Sequence, residues 1–212
     1  MGNSDSFARQ ALSLVNKVGR ELLGQHDWRF LVKESTFTTD GTGDYTIGTD
    51  IITDGDFEHF ISDTFWDRSN NNFISVVNAK QWQTLKSGAI SDTGVVRYIR
   101  TRGDDLLMTP DTSGDTVALE YLSNYWIEDS GGTAKGSFTA DTDTTKFPEY
   151  LIELGLVVKL KQAKGLPFSM DMDAFEREKE RLIGGEMPLE TLGPIPRSNF
   201  VLNVPDTGIG LP

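Results

Sequence analysis

Between residues 33 and 145 the chain is interrupted so often that no long helix fits. Asp40-Gly41-Thr42-Gly43, Asp54-Gly55, Asn70-Asn71-Asn72, Asp92-Thr93-Gly94, Arg102-Gly103-Asp104, Ser113-Gly114-Asp115 and Ser130-Gly131-Gly132 are all turn sequences. Glycine reaches left-handed backbone without a steric penalty, and Asn and Asp close turns through their own side chains. Such breaks, about 10–20 residues apart, leave room for short strands and suit an antiparallel sheet or small sandwich. We expect strands at 35–38, 44–47, 57–61, 73–77, 95–100, 116–122 and 136–139. In 116–122, Val117, Leu119 and Tyr121 alternate with Ala118, Glu120 and Leu122, the pattern of a half-buried strand. Residues 78–86 read as one short helix, capped by Asn78, with Trp82 and Leu85 on one face.

Both flanks of this region carry helical spacing. Phe7, Ala11, Leu14, Val15, Val18 and Leu22 form a stripe, with Ser4, Asp5 or Ser6 as cap, Gly24 as stop and Gly19 as an internal weakness. After the β-rich region, Thr144 or Thr145 caps a second helix, with Pro148 in its first turn. Leu151, Ile152, Leu154, Leu156, Val157, Val158 and Leu160 make that helix apolar nearly all round, so it should be buried among others. Gly165 and Pro167 stop it. Ser169 or Asp171 caps a further helix bearing Met172, Phe175 and Leu182, which Gly184-Gly185 ends.

These signals predict an α+β chain: a small helical bundle with an inserted antiparallel β domain and an extended C-terminal arm. The expected divisions are 1–32 (first helix), 33–145 (β insertion), 146–183 (completing helices) and 184–212 (arm). Phe7, Leu14, Val18 and Leu22 should pack on Leu151, Leu154 and Val158, because neither helix can bury its apolar face alone. The arm holds five of the eight prolines, yet Leu189, Leu192, Ile195, Phe200, Val201, Leu202 and Val204 are too apolar for a free linker. It either lies on a partner, as an added strand or in a groove, or folds back on its own chain.

The chain carries 32 acidic and 20 basic side chains, a net charge of −12. Residues 33–145 alone hold 19 acidic and 8 basic ones. Either these are solvated loops that favour solubility, or they form a surface that must not hold DNA, since nucleic-acid affinity draws on cation–phosphate contacts. With no cysteine in the sequence, disulfides, thiolate metal sites and thiol nucleophiles are excluded. No apolar run approaches the ~18 residues of a membrane helix. The start MGNSDSFARQ lacks the basic and apolar blocks of a secretory signal. Gly2 and Ser6 do match the loose myristoylation pattern, which many unmodified chains share.

Candidate chemistry is sparse. His26 sits where the first helix ends, and His59 between Glu58 and Phe60 on a strand face. Gly41-Thr42-Gly43 lacks the third glycine and following helix of a dinucleotide loop. Asp141 with Asp143, and Asp171 with Asp173, could hold a hard cation, but each lies near a helix start where capping favours Asp. Glu149 and Glu153 are four apart on a helix and read as ordinary surface pairs, for example Glu149 with Lys146. Tyr121, Tyr125 and Trp126 read as packing residues of the sheet. We therefore assign no catalytic residue, no metal ligand and no cofactor.

The runs YLSNYW (121–126), FTADTDTTKFPEYL (138–151), LGLVVK (154–159) and KGLPF (164–168) resemble the head-to-tail adaptor proteins of tailed bacteriophages, the short-tailed type above all. TFTTDGTGDYTIGTD (36–50), Phe65-Trp66-Asp67 and WQTLK (82–86) agree, so the resemblance spans residues 8–183. It implies a structural virion protein at the head–tail junction, assembled in the host cytoplasm. Such proteins form a homo-oligomeric ring, usually of twelve copies, beneath the portal. Genomic DNA passes through their channel without specific binding, the arm reaches the portal protein, and tail, nozzle or fibre proteins dock below. The alternative is a neck or tail protein with cell-wall-degrading, glycosidase-like activity, which needs two carboxylates flanking a cleft.

Overall fold

Residues 2–87 and 96–186 are described by the computed structural model. They form α1 (Gly2–Leu23), β1 (Val32–Thr38), β2 (Asp44–Thr46), β3 (Phe57–Phe60), β4 (Trp66–Asp67), β5 (Asn72–Phe73), β6 (Ser75–Val76) and α2 (Ala79–Ser87). There follow β7 (Tyr98–Arg102), β8 (Asp105–Thr109), β9 (Thr116–Ser123), β10 (Ile127–Glu128), β11 (Ala134–Lys135), β12 (Thr144–Thr145), α3 (Glu149–Ala163) and α4 (Ser169–Glu186). The class is α+β. The arm residues Leu189, Leu192, Ile195, Phe200, Val201, Leu202 and Val204 lie outside the described residues, as does Val95.

β9 is the spine. It pairs antiparallel with β1 from Val32↔Leu122 to Thr38↔Thr116, and on its other side with β3 and β4. A second sheet runs β2-β8-β7-β6. Its last pair, β6 with β7, is parallel, which corrects the all-antiparallel expectation. Parallel neighbours need a long crossover, and α2 lies in the segment that supplies one. Asn78 caps α2 in a reciprocal box: the Gln81 N–H donates to Asn78 Oδ1, and the Asn78 N–H to Gln81 Oε1, both at 3.0 Å.

Two apolar cores share the spine. Val117, Leu119 and Tyr121 of β9 face the space between the sheets, with Phe37, Tyr45, Ile47, Phe65, Ile74, Ile99, Leu106 and Met108. Leu122, on the opposite face, enters a second core with Trp28, Leu31, Trp126, Phe147 and the helices. This corrects the half-buried expectation: Ala118 and Leu122 on the second face are buried too, and only Glu120 of β9 is open to solvent. β8 was not expected from the sequence. It is a central strand buried along most of its length, so its DLLMT run shows no alternation.

In the helical core Val18, Leu22, Leu151 and Val158 are buried together, with Leu154 partly buried against them. Each such side chain contributes about 1.5–3 kcal/mol. Leu14 is half-buried. Phe7 departs from the expected packing and is 48% exposed. It lies about three turns before Val18, beside the end of α3, where the Lys164 ammonium sits 5.4 Å from its ring centroid. Three end signals also shift. α1 starts at Gly2, so Ser4, Asp5 and Ser6 are inside it. Thr144 and Thr145 pair with β10 as β12, and Pro148 takes the cap position of α3. α4 runs through Gly184-Gly185 to Glu186.

Candidate interaction surfaces

Asp143 and Asp171, two of the carboxylates singled out for cation binding, are engaged in structural contacts. Asp143 Oδ2 accepts from the Thr139 and Ala140 N–H groups at 2.7 and 2.8 Å and pairs with Lys135 Nζ at 2.6 Å. The Lys135 ammonium and these N–H groups hold its carboxyl well below the usual carboxylate range. Asp171 pairs with Lys161 at 2.6 Å. Among the described residues no group of three or more His, Asp or Glu side chains is placed to hold a metal ion. Lys146 pairs with Glu128 at 3.5 Å, not with Glu149 as expected, because the β10–β12 ladder brings Glu128 alongside. Tyr121 and Trp126 are core residues and Tyr125 is half-buried.

Two buried charge clusters were invisible in the sequence. Asp56 is 0% exposed. Its Oδ2 accepts from Lys33 Nζ at 2.5 Å and Ser123 Oγ at 2.7 Å, and its Oδ1 from the Tyr121 hydroxyl at 3.0 Å. Burial alone would push the Asp56 pKa up, but the hydrogen bonds from Lys33, Ser123 and Tyr121 outweigh it and hold the carboxyl below its usual range. Burial, together with that carboxylate, pushes the Tyr121 phenol far up. The cluster ties the turn before β3 to β1 and β9. The second cluster centres on Arg97, which is buried between Asp67 and Asp115. Nη2 donates to Asp115 Oδ2. Nη1 is 2.9 Å from Asp67 Oδ2 but off the line of a hydrogen bond, so that contact is an ion pair by proximity. Asp54-Gly55-Asp56 and Ser113-Gly114-Asp115 read locally as turns, and nothing local announces that one carboxylate of each turns inward.

Both histidines mark the loop after α1. His26 Nε2 is 3.1 Å from Glu186 Oε2, which also accepts from the Arg29 N–H at 3.2 Å. His59 Nε2 is 2.8 Å from Asp27 Oδ1 on the next residue of that loop.

Two apolar surfaces stand out among the described residues. The first is a groove of about 370 Å³ between β3 and β7, lined by Phe57, Phe60, Ile61, Phe65, Val76 and Ile99 among others. Among the described residues, Glu58 and His59 are the only ionisable ones in its lining. The pattern FEHF held a signal for it: Phe57 and Phe60 are three apart, out of step with a regular strand. A register shift between Phe57 and His59 leaves both phenylalanines half-buried against the sheet core. The second surface lies on the helices. Tyr150 and Val157, seven apart on α3, are 57% and 39% exposed. Near them in sequence, Leu166 is 50% and Met170 83% exposed.

No protein-family model matches the sequence, and no curated protein matches it at a significant level.

Proposed function

We propose that this chain is a structural adaptor that forms a ring between the portal of a tailed-phage head and the tail. The observation that carries the reading is α3. Its apolar residues run nearly all round, yet within one copy only Leu151, Ile152, Gly155 and Val158 are buried. A helix of that composition belongs in an interior. A cyclic, head-to-tail interface with the next copy would cover Tyr150 and Val157 and close on itself. The motif resemblance over residues 8–183 points the same way. A helical unit made of α1, α3 and α4, carrying the β-rich region between its first and second members, suits a ring whose helices stack about a channel. The net charge of −12 suits a channel in which DNA slides with few phosphate contacts to break.

The test is co-expression of the full chain with the portal protein of the same virion, followed by electron microscopy. The expected image is a second ring, usually of twelve copies, stacked on the portal. A portal that stays bare while this chain remains in the unbound fraction overturns the proposal.

A further inference from the structure

The groove between β3 and β7 is an unfinished seam of the two-sheet core. Ile47, Phe65 and Ile99 belong to that core and also form the groove lining. One rim is β3, whose only ladder partner among the described residues is β9. Its other edge therefore offers backbone donors and acceptors without a strand partner, beside the half-buried Phe57, Phe60 and Ile61. Sheet edges of this kind take an added strand, whose backbone pairs with the edge while alternate side chains fill the groove.

The chain itself points to the occupant. Its last described residue, Glu186, is held by His26 and the Arg29 N–H, while Asp27 holds His59 on the groove rim. The exit of the chain and the rim are thus fastened to two consecutive residues of one loop. From Glu186 to Phe200 is 14 residues, a reach of up to ~45–50 Å when extended. The sequence Phe200-Val201-Leu202-Asn203-Val204 is rich in aromatic and β-branched residues, uncharged, and ended by Pro205. As a strand it would place Phe200, Leu202 and Val204 on one face and Val201 and Asn203 on the other. Three large apolar side chains on one face match a groove floored by Phe57, Phe60 and Ile99.

We propose that residues 200–204 add to the free edge of β3 in the same molecule, with Phe200, Leu202 and Val204 filling the groove. The docking does not depend on the ring reading. Where that reading holds, the groove is where the arm waits until a portal competes for it.

The natural absence of cysteine makes the test direct. Five full-length variants, Phe200→Cys, Val201→Cys, Leu202→Cys, Asn203→Cys and Val204→Cys, are alkylated as isolated monomers. Thiols at 200, 202 and 204 should react about tenfold or more slowly than those at 201 and 203, as protected sites do. Adding Phe60→Glu, which puts a charge into the groove, should abolish the difference. Equal rates at all five positions, or protection that survives Phe60→Glu in a folded protein, overturn the proposal. Ser62→Cys, on the groove lining, with Leu202→Cys reports the source of the strand. A disulfide within one chain supports it, and disulfide-linked dimers alone overturn it in favour of a neighbour's arm.

Discussion

Gly19 of α1 lies against the Trp126 indole, so closely that a Cβ at residue 19 would sit 2.1 Å from Cζ2 and 2.2 Å from Cη2. The indole is itself held in place. Its N–H donates to the Gly136 carbonyl at 3.0 Å, and its ring packs on Phe138 and Phe147. The missing side chain is therefore what lets the helix pack against the segment between β9 and β10.

Helix propensity and packing make opposite forecasts for Gly19→Ala. Propensity favours alanine by about 1 kcal/mol in a helix interior. Overpacking costs about 1–3 kcal/mol or more. The rigid indole cannot yield, so Gly19→Ala should lower stability in urea unfolding by about 2 kcal/mol net. Gly155→Ala meets Val18 Cγ1 at 2.5 Å and should also destabilise. Gly184→Ala, with nothing within 4 Å, should be neutral or raise stability by up to ~1 kcal/mol.

Two positions on α3 separate folding from assembly. Leu151 is fully buried, so Leu151→Asp should cost several kcal/mol and lower the melting temperature sharply. Leu154→Asp, at a partly buried site, should cost less but still destabilise. Val157→Asp lies on the exposed face and should change monomer stability by no more than ~0.5 kcal/mol. If that face is the contact between copies, the same variant should fail to add a ring to the portal.

Acid should release the Asp56 cluster. The folded pKa of Asp56 lies below the ordinary 3.8. Its stabilising contribution is therefore complete above that value and is lost as pH falls through the folded pKa. Asp143 is lowered in the same direction. Stability should hold near neutral pH and decline below about pH 4. Asp56→Asn should flatten part of that acid limb while lowering stability at pH 7 by about 3 kcal/mol, toward the lower end for a broken buried pair because Lys33 is partly exposed. Urea unfolding from pH 2 to 8 measures both.

Arg97 should resist even a conservative change. Arg97→Lys keeps the charge but cannot present two separate nitrogens to Asp67 and Asp115, and should cost about 2 kcal/mol or more in thermal or urea unfolding. Arg97→Met leaves both carboxylates without their cation, at a cost of about 3–5 kcal/mol. Stability within ~0.5 kcal/mol of the parent for both variants would show the cluster to be dispensable.

The strand at β9, the Asn78 cap, the stripe of α1 and the stop at Gly165 were legible because each depends on residue types and spacing within a few residues, where propensity and turn chemistry act locally. β8 was hidden because a strand covered on both faces loses its period. The inward turn of Asp56 and Asp115, the exposure of Phe7 and the groove beside β3 were decided by the tertiary structure alone. Lys33, Asp56, Tyr121 and Ser123 lie up to 90 residues apart in sequence. Whether a carboxylate is a solvated turn residue or a buried hub depends on which distant donors the sheet brings to it. Local sequence sets the pieces, because backbone preferences act over a few bonds. Burial and charge pairing are set by the packed whole, because desolvation and Coulomb energy depend on neighbours in space.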